Sequence, residues 1–279
     1  MENNNIEQRV QDKIAQGITY NFDKFFADGW RIFKKTALPI AGVTFLLAIP
    51  VLIIYAILGP FLFGIESFDQ YMRIAKHDPY FMQRLTRSPM YLLKQGLLSM
   101  IFGVAFAPIN AGMLKMCREA DKTGEVNFGS AFAYYKAPYY GKLVILTLIM
   151  SIGSSVTSYV FGFIPILGSL INLAVILCMY VFLAYVQPLI IFGNADLGKA
   201  FSLSFALSSK KFGAVLGFGL LFGLLGGLGF IGCCIGVFFT IAFIPTCGYL
   251  LYKHAIGFPE DEEEVQNPGN WQQEQPPTV

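Results

Sequence analysis

Long apolar stretches, separated by short polar segments, dominate the chain. The two longest stretches without a charged side chain are Leu143–Gly193 and Phe212–Tyr252. About 20 apolar residues cross the hydrocarbon core of a bilayer as a helix, so each stretch is long enough for two crossings. Glycine and proline clusters divide the stretches at Gly162–Pro165 and Gly226–Gly229, and such clusters favour tight turns. The pattern therefore predicts membrane-spanning helical hairpins.

The complete pattern predicts an all-α, polytopic membrane domain over residues 20–258, with six spans arranged as three hairpins. We expect an interfacial amphipathic helix before each hairpin. An N-terminal amphipathic segment (1–19), an outer loop (66–89) and an acidic tail (259–279) complete the chain. The six predicted spans are 37–63, 90–116, 143–163, 168–192, 212–228 and 232–252.

Composition and charge agree with this architecture. Hydrophobic residues make up 55% of the chain and charged residues 14%, whereas soluble domains carry about 25% charged residues. Fifteen of the 20 Lys and Arg, counting Lys115 near the end of the second span, lie on the side that holds the N-terminus. The positive-inside rule then predicts a multi-pass membrane protein with both termini in the cytoplasm.

The placement of charge also indicates which partners to expect. The cations lie scattered between hydrophobic spans, which favours membrane lipids as partners and argues against nucleic acid. Six of the 18 acidic residues follow Pro259, and the tail they form is expected to be disordered and cytoplasmic.

Short helices are predicted outside the spans. Ile6, Val10 and Ile14 recur every four residues and indicate an amphipathic helix on the cytoplasmic surface. In the outer loop, Asp78-Pro79 and Ser88-Pro89 each combine an N-cap residue with proline at the first helical position. We therefore expect outer helices at 68–76 and 79–86, and a start of the second span at Pro89.

A similar segment precedes the first, third and fifth spans. Each segment opens with an N-cap residue and has phenylalanine five positions later, and basic residues follow where the span begins. A proline, Pro108, Pro188 or Pro245, then occurs in the second span of each hairpin. The pattern predicts a threefold internal repeat; the alternative is the interfacial aromatic and basic residues common to polytopic proteins. The cap and phenylalanine pairs are Asn21 and Phe26, Asn127 and Phe132, and Asp196 and Phe201.

The segments Ala195–Phe205, Lys210–Phe212 and Gly232–Pro245 resemble a family of bacterial six-span inner-membrane proteins. That family is related to the membrane domain fused to some glycerophosphodiester phosphodiesterases. Tyr20–Lys35 is similar to the usual start of its members. The resemblance covers about residues 20–257 and implies a fold and a membrane location. Its motifs include no catalytic signature, so the phosphodiesterase activity is not carried over.

The sequence offers no combination of residues typical of a catalytic or metal site. The two histidines, His77 and His254, lie on opposite sides of the predicted membrane. The cysteines contain no Cys-x-x-Cys spacing and are interpreted as packing groups. The cores of the predicted spans hold no acid, base or histidine, which argues against a proton-coupled pump. We therefore expect no enzyme activity, no cofactor and no metal. The five cysteines are Cys117, Cys178, Cys233, Cys234 and Cys247.

Polar side chains next to the three prolines are the best candidates for a ligand groove. Proline frees backbone carbonyls that nearby polar groups can satisfy or exploit, although a kink that only improves packing is the simpler alternative. The candidate positions are Pro108, Asn110, Gln187, Pro188, Pro245 and Thr246. A second candidate is the helix-packing series Gly219, Gly223 and Gly227, which favours close packing within the bundle or a homodimer.

Three functional hypotheses follow. The leading one is an accessory or scaffold protein without a catalytic site that binds lipid or a membrane-protein partner. The alternative is a passive transporter or channel for a lipid or small amphiphile, and a lipid-modifying enzyme is the weakest.

The predicted topology can be tested with single cysteines at Ser67 and Gln266 in a variant that lacks the native cysteines. We expect Ser67→Cys in intact cells to react with a membrane-impermeant maleimide, because residue 67 falls in the predicted outer loop. Gln266→Cys should react only after permeabilisation. The reverse labelling pattern would show that the orientation is wrong.

Overall fold

The computed structural model describes residues 2–63, 68–78, 80–81, 84–85, 88–162, 164, 167–230 and 235–259. Within these ranges the chain is helical and contains no β-strand. Two short 3-10 helices, Phe128–Tyr135 and Leu228–Phe230, join the α-helices. The α-helices are α1 (Glu2–Gln16), α2 (Phe22–Phe63), α3 (Phe68–His77), α4 (Pro89–Lys122), α5 (Tyr139–Gly162), α6 (Leu167–Leu183), α7 (Val186–Ile191), α8 (Leu197–Lys210), α9 (Phe212–Gly227), α10 (Ile235–Thr240) and α11 (Phe243–Ala255).

Among the residues that the structure describes, six helical segments are long and apolar enough to cross a membrane, which confirms the predicted all-α polytopic fold. The spans lie on α2, α4, α5, α6–α7, α9 and α10–α11. Large apolar side chains point outward from them: Leu38 is 72% exposed and Leu224 is 71% exposed. Since water would oppose this exposure, lipid is the environment that the surface fits.

The first predicted segment and the first span form one continuous helix. Helix α2 runs through 42 residues from Phe22, rather than beginning a separate span at residue 37. The Asn21 side chain caps it by accepting a hydrogen bond from the Lys24 backbone N–H at 3.0 Å. No glycine or proline lies between Gly29 and Pro39, so nothing in the sequence interrupts the helix at the expected boundary.

The second predicted amphipathic helix is instead the 3-10 helix Phe128–Tyr135. Asn127 caps it, accepting from the Gly129 N–H at 2.8 Å. The Ser130 hydroxyl donates to the Glu119 carboxylate at 2.6 Å and holds the segment against α4. A Cβ at Gly112 would lie 2.0 Å from the Ala131 carbonyl oxygen, so the two backbones touch. Close packing on α4 therefore replaces the amphipathic α-helix that the sequence predicts.

The third predicted segment is α8, and it is a separate helix as expected. Its N-cap residue is Asp196, whose side chain makes no capping hydrogen bond. The carboxylate instead accepts from Lys142 Nζ at 2.9 Å, at the start of α5. A break at Lys211 separates α8 from α9.

The fourth and sixth predicted spans are not continuous helices. The α6–α7 break occupies Ala184–Tyr185, and the α10–α11 break occupies Ile241–Ala242. Both breaks fall three and four residues before a proline. The helix breaks at this distance because proline has no N–H to donate to the carbonyl four residues earlier, and its ring clashes with that carbonyl. Helix α4, by contrast, continues through Pro108 and extends past the predicted end at 116 to Lys122.

The N-terminal helix α1 forms as predicted, but it packs against α8. Ile6 and Val10 are buried, and Glu7 pairs with Lys199 of α8 at 3.2 Å. In the outer loop, α3 matches the helix predicted at 68–76. The helix predicted at 79–86 lies mostly outside the described residues, as do Cys233, Cys234 and the tail beyond Pro259.

The contact between Gly112 and Ala131 predicts a sharp difference between two glycines of α4. Gly112→Ala should lower the free energy of unfolding by about 1–3 kcal/mol, because the new methyl group overlaps the 3-10 helix. Gly96→Ala is the matched control, since a Cβ there meets nothing within 4 Å. Thermal unfolding in detergent, followed by tryptophan fluorescence, would compare the two. Equal melting temperatures would contradict the packing.

Candidate functional site

The three proline-bearing segments meet around a cavity of about 380 Å³. This volume is in the range of small-molecule binding sites. The walls come from α4, α5, the α6–α7 break and α11, and among the residues that the structure describes, no acid, lysine, arginine or histidine lines them. The lining residues are Ala107, Asn110 and Leu114 of α4; Leu143, Leu146, Thr147, Met150 and Ser151 of α5; Tyr180, Leu183, Ala184, Gln187 and Pro188 around the α6–α7 break; and Ile244, Pro245 and Gly248 of α11.

Four of the six candidate positions line this cavity together: Asn110, Gln187, Pro188 and Pro245. The other two do not line it. Pro108 is buried next to the lining residue Ala107. Thr246 is fully buried, and its hydroxyl donates to the Ala242 carbonyl at 2.7 Å, across the first turn of α11.

The amide side chains of Asn110 and Gln187 have no hydrogen-bond partner within the part of the chain that the structure describes. Asn110 is exposed, although its neighbours Ala107–Ile109 and Ala111–Leu114 are buried, so its amide faces the cavity space. Transfer of an amide group from water into an apolar environment without a hydrogen-bond partner costs about 2–7 kcal/mol of free energy. Water or a polar ligand group in the cavity would remove this cost.

Serines of α8 form hydrogen bonds with the backbone on both sides of the α6–α7 break. Ser204 Oγ donates to the Phe182 carbonyl at 2.6 Å, and Ser208 Oγ donates to the Val181 carbonyl at 2.7 Å. The Tyr185 N–H donates in turn to Ser204 Oγ at 3.3 Å. Sequence reasoning missed these serines, although their spacing of four residues, which puts both on one helix face, was a usable signal.

A cluster of charged residues joins three helices at the end of the bundle near both described chain ends. Asp121 of α4 has a side chain only 7% exposed. It accepts from Arg31 of α2 at 2.6 Å, from Lys253 of α11 at 2.5 Å and from the Tyr249 hydroxyl at 2.7 Å. The carboxylate thus fixes the ends of α4 and α11, which carry the cavity walls.

A second acid extends this cluster. Asp28 pairs with Arg31 at 3.1 Å, and its carboxylate lies 3.3 Å from His254 Nε2. Sequence reasoning missed the whole cluster, because its members lie on three helices that are far apart in the sequence.

The three cap segments, which begin at the N-cap residues Asn21, Asn127 and Asp196, bury the same position of their sequence pattern. The residues four positions after the caps, Phe25, Ala131 and Ala200, are fully buried. One position later, Phe26 and Phe132 are exposed, whereas Phe201 packs partly against the core. Each segment therefore turns the same register position toward the bundle.

The second cap segment also reaches the region of Pro108. The Tyr135 hydroxyl donates to the Ala105 carbonyl of α4 at 2.6 Å. Burial, followed by the nearby Tyr140, raises the pKa of Tyr135, so the hydroxyl stays protonated and remains a donor.

The glycine series on α9 is only partly used in packing. A Cβ at Gly219 would lie 2.7 Å from the Tyr180 ring, so this glycine admits a cavity-lining side chain. A Cβ at Gly223 or Gly227 would meet nothing within 4 Å. In the described part of the last hairpin, the backbones of Gly229 and Gly236 also lie close together, since a Cβ on Gly236 would lie 2.7 Å from the Gly229 carbonyl oxygen.

Comparison with protein-family models, with curated proteins and with solved structures gives no match. The resemblance to the phosphodiesterase-linked family therefore stays a prediction. Among the residues that the structure describes, no group of three or more His, Cys, Asp or Glu could hold a metal ion.

The charged cluster predicts that Asp121→Asn destabilises the protein. The substitution keeps the shape of the side chain but weakens hydrogen bonds from two cations, so we expect a loss of about 1–3 kcal/mol, seen as a lower melting temperature in detergent. Asp23→Asn, at an exposed position of α2, is the matched control and should change stability little. An unchanged melting temperature for Asp121→Asn would show that the cluster does not hold the helix ends.

Proposed function

We propose that this chain is a non-enzymatic membrane protein that binds an uncharged amphiphile or lipid in the cavity between its proline-bearing helices. The observation that supports this most directly is the pair of unpartnered amides, Asn110 and Gln187, on an otherwise largely apolar wall. A ligand with one polar group and an apolar body matches that surface. Its polar group forms hydrogen bonds with the amides, and its apolar body packs against the apolar part of the wall, which has no hydrogen bonds to water to lose.

The lining favours an uncharged ligand and does not favour catalysis. A charged group would enter the cavity without a counter-charge, which is costly in a low-dielectric environment. General acid–base chemistry needs a group that exchanges protons near neutral pH. The cavity wall presents amides, hydroxyls and apolar groups instead.

The setting we propose is the bacterial inner membrane, with both termini cytoplasmic and an accessory role beside another membrane process. The excess of Lys and Arg on the N-terminal side supports this orientation, and labelling at residues 67 and 266 tests it. The shared register of Phe25, Ala131 and Ala200 supports a threefold repeat.

Passive transport of the same ligand is the second candidate. The observation in its favour is that two interrupted helices, α6–α7 and α10–α11, both border the cavity. Interrupted helices near the membrane centre are typical of the substrate sites of transporters. A transporter would move a fluorescent amphiphile between the leaflets of a liposome that contains only this protein, whereas a binding protein would not.

Lipid analysis of the purified protein tests the proposed site. We expect protein extracted in mild detergent to retain an uncharged amphiphile at a higher level than the membrane extract from which it came. The double variant Asn110→Leu/Gln187→Leu should retain about tenfold less, because two hydrogen bonds of about 0.5–1.5 kcal/mol each are lost. Mass spectrometry of the extracted lipids measures the enrichment.

The matched control is Asn172→Leu, which makes the same change on α6 away from the cavity. The Asn172 amide donates to Ser158 Oγ at 3.3 Å, and this variant should retain the ligand. Absence of any enriched amphiphile in the wild type contradicts the proposal. Equal retention by the double variant contradicts the assignment of the site. Proteomic analysis of the same sample would reveal a membrane-protein partner.

A further inference from the structure

A second space lies beside the cavity, on the outer face of α6. It is a groove of about 480 Å³ between α6 and Phe205 of α8. Its walls are apolar throughout and include Ile171, Val175, Cys178 and Phe182. From Ile171 to Leu183 the groove follows α6 for about 18 Å, at 1.5 Å per residue. This length is comparable to the apolar thickness of one leaflet, about 15 Å.

Leu183 connects the two spaces. Its side chain lines both the cavity and the groove, and it is the last residue of α6. Gln187, one turn further along the chain, faces the cavity. The cavity, which carries the two amides, and the apolar groove therefore adjoin at Leu183, where the helix is interrupted and its regular hydrogen bonding ends.

We propose that one lipid molecule occupies both spaces; this inference rests on the proposed function and specifies its ligand. An uncharged headgroup that carries hydroxyl or amide groups lies in the cavity and bonds to Asn110 and Gln187. One acyl chain passes Leu183 and lies in the groove along α6. The absence of cationic side chains from the cavity wall disfavours phosphate-bearing headgroups.

The shape of the two spaces favours a lipid over the other possible occupants. A water-soluble solute would fill the cavity and leave the adjoining groove unexplained. A helix of a partner protein would fit along the groove, but it could not extend into a cavity walled by four segments of this chain. A lipid has the required combination of a compact polar end and a narrow apolar chain.

The experiment compares the affinities of three probes for the protein in nanodiscs. Palmitoylglycerol and octanoylglycerol share an uncharged headgroup and differ in chain length, whereas palmitoyl lysophosphatidic acid keeps the long chain and adds a phosphate. We expect palmitoylglycerol to bind about fivefold more tightly than octanoylglycerol. Both chains are surrounded by lipid when unbound, so the difference comes from the larger number of van der Waals contacts that the longer chain makes in the groove. The phosphate-bearing probe should bind about tenfold more weakly than palmitoylglycerol.

Two substitutions on α6 separate the groove from the cavity. Cys178→Trp fills the groove and should lower the affinity for palmitoylglycerol to about that for octanoylglycerol, which removes the chain-length preference. Ile176→Trp is the matched control, since Ile176 is exposed on the same helix and lines neither space. Val175→Trp is the second groove variant if Cys178→Trp fails to fold, as judged by thermal unfolding. In Asn110→Leu/Gln187→Leu, both glycerides should bind about equally more weakly.

Three results would contradict specific parts of the inference. A chain-length preference that survives in a folded groove variant overturns the groove assignment. If the phosphate-bearing probe binds as tightly as palmitoylglycerol, the inference that the headgroup is uncharged is wrong. A wild-type protein that binds neither glyceride overturns the inference as a whole. The proposed function is then still judged separately, by the analysis of endogenous lipids.

Discussion

The need to satisfy backbone polar groups within lipid is the constraint on which the rest of this structure depends. A helix in a bilayer satisfies its own N–H and C=O groups only while it is continuous, and prolines interrupt two of these helices. Side chains of neighbouring helices supply partners for backbone groups at helix ends. Ser204 and Ser208 of α8 donate to carbonyls beside the α6–α7 break, and Thr240 donates at 2.6 Å to the Gly226 carbonyl in the last turn of α9. The position of α8 across the bundle follows from this requirement.

The molecule combines a tightly held end with a loosely filled middle. At the end near Asp121, charged hydrogen bonds and stacked aromatic rings fix the helices; the Arg118 guanidinium, for example, lies 4.3 Å from the centre of the Phe258 ring. About 17 Å along α4, eleven residues away from Asp121, Asn110 faces the cavity. The Asp121 ion pairs thus hold the ends of two of the helices that line the cavity, α4 and α11.

The sequence predicted those features that depend on neighbouring residues. The six spans follow from the length of apolar stretches, and the caps at Asn21 and Asn127 follow from local hydrogen bonding. The 3-10 form of Phe128–Tyr135 was not predictable, because it depends on a close contact with Gly112. The prolines marked the right region, and the structure brings Asn110 and Gln187 together there. The Asp121 cluster remained hidden, since its members are separated by up to 222 positions, from Arg31 to Lys253.

The packing of α1 on α8 connects the N-terminal helix to the α6–α7 break through a continuous series of contacts. Ile6 fits against Gly193, where an added Cβ would lie 2.9 Å from the Ile6 side chain, and Glu7 pairs with Lys199. On its other side α8 holds the α6–α7 break through Ser204 and Ser208. Only one helix thus separates a surface segment from the interruption beside Leu183. A displacement of α1 would therefore act on the α6–α7 break through the contacts of a single helix, α8.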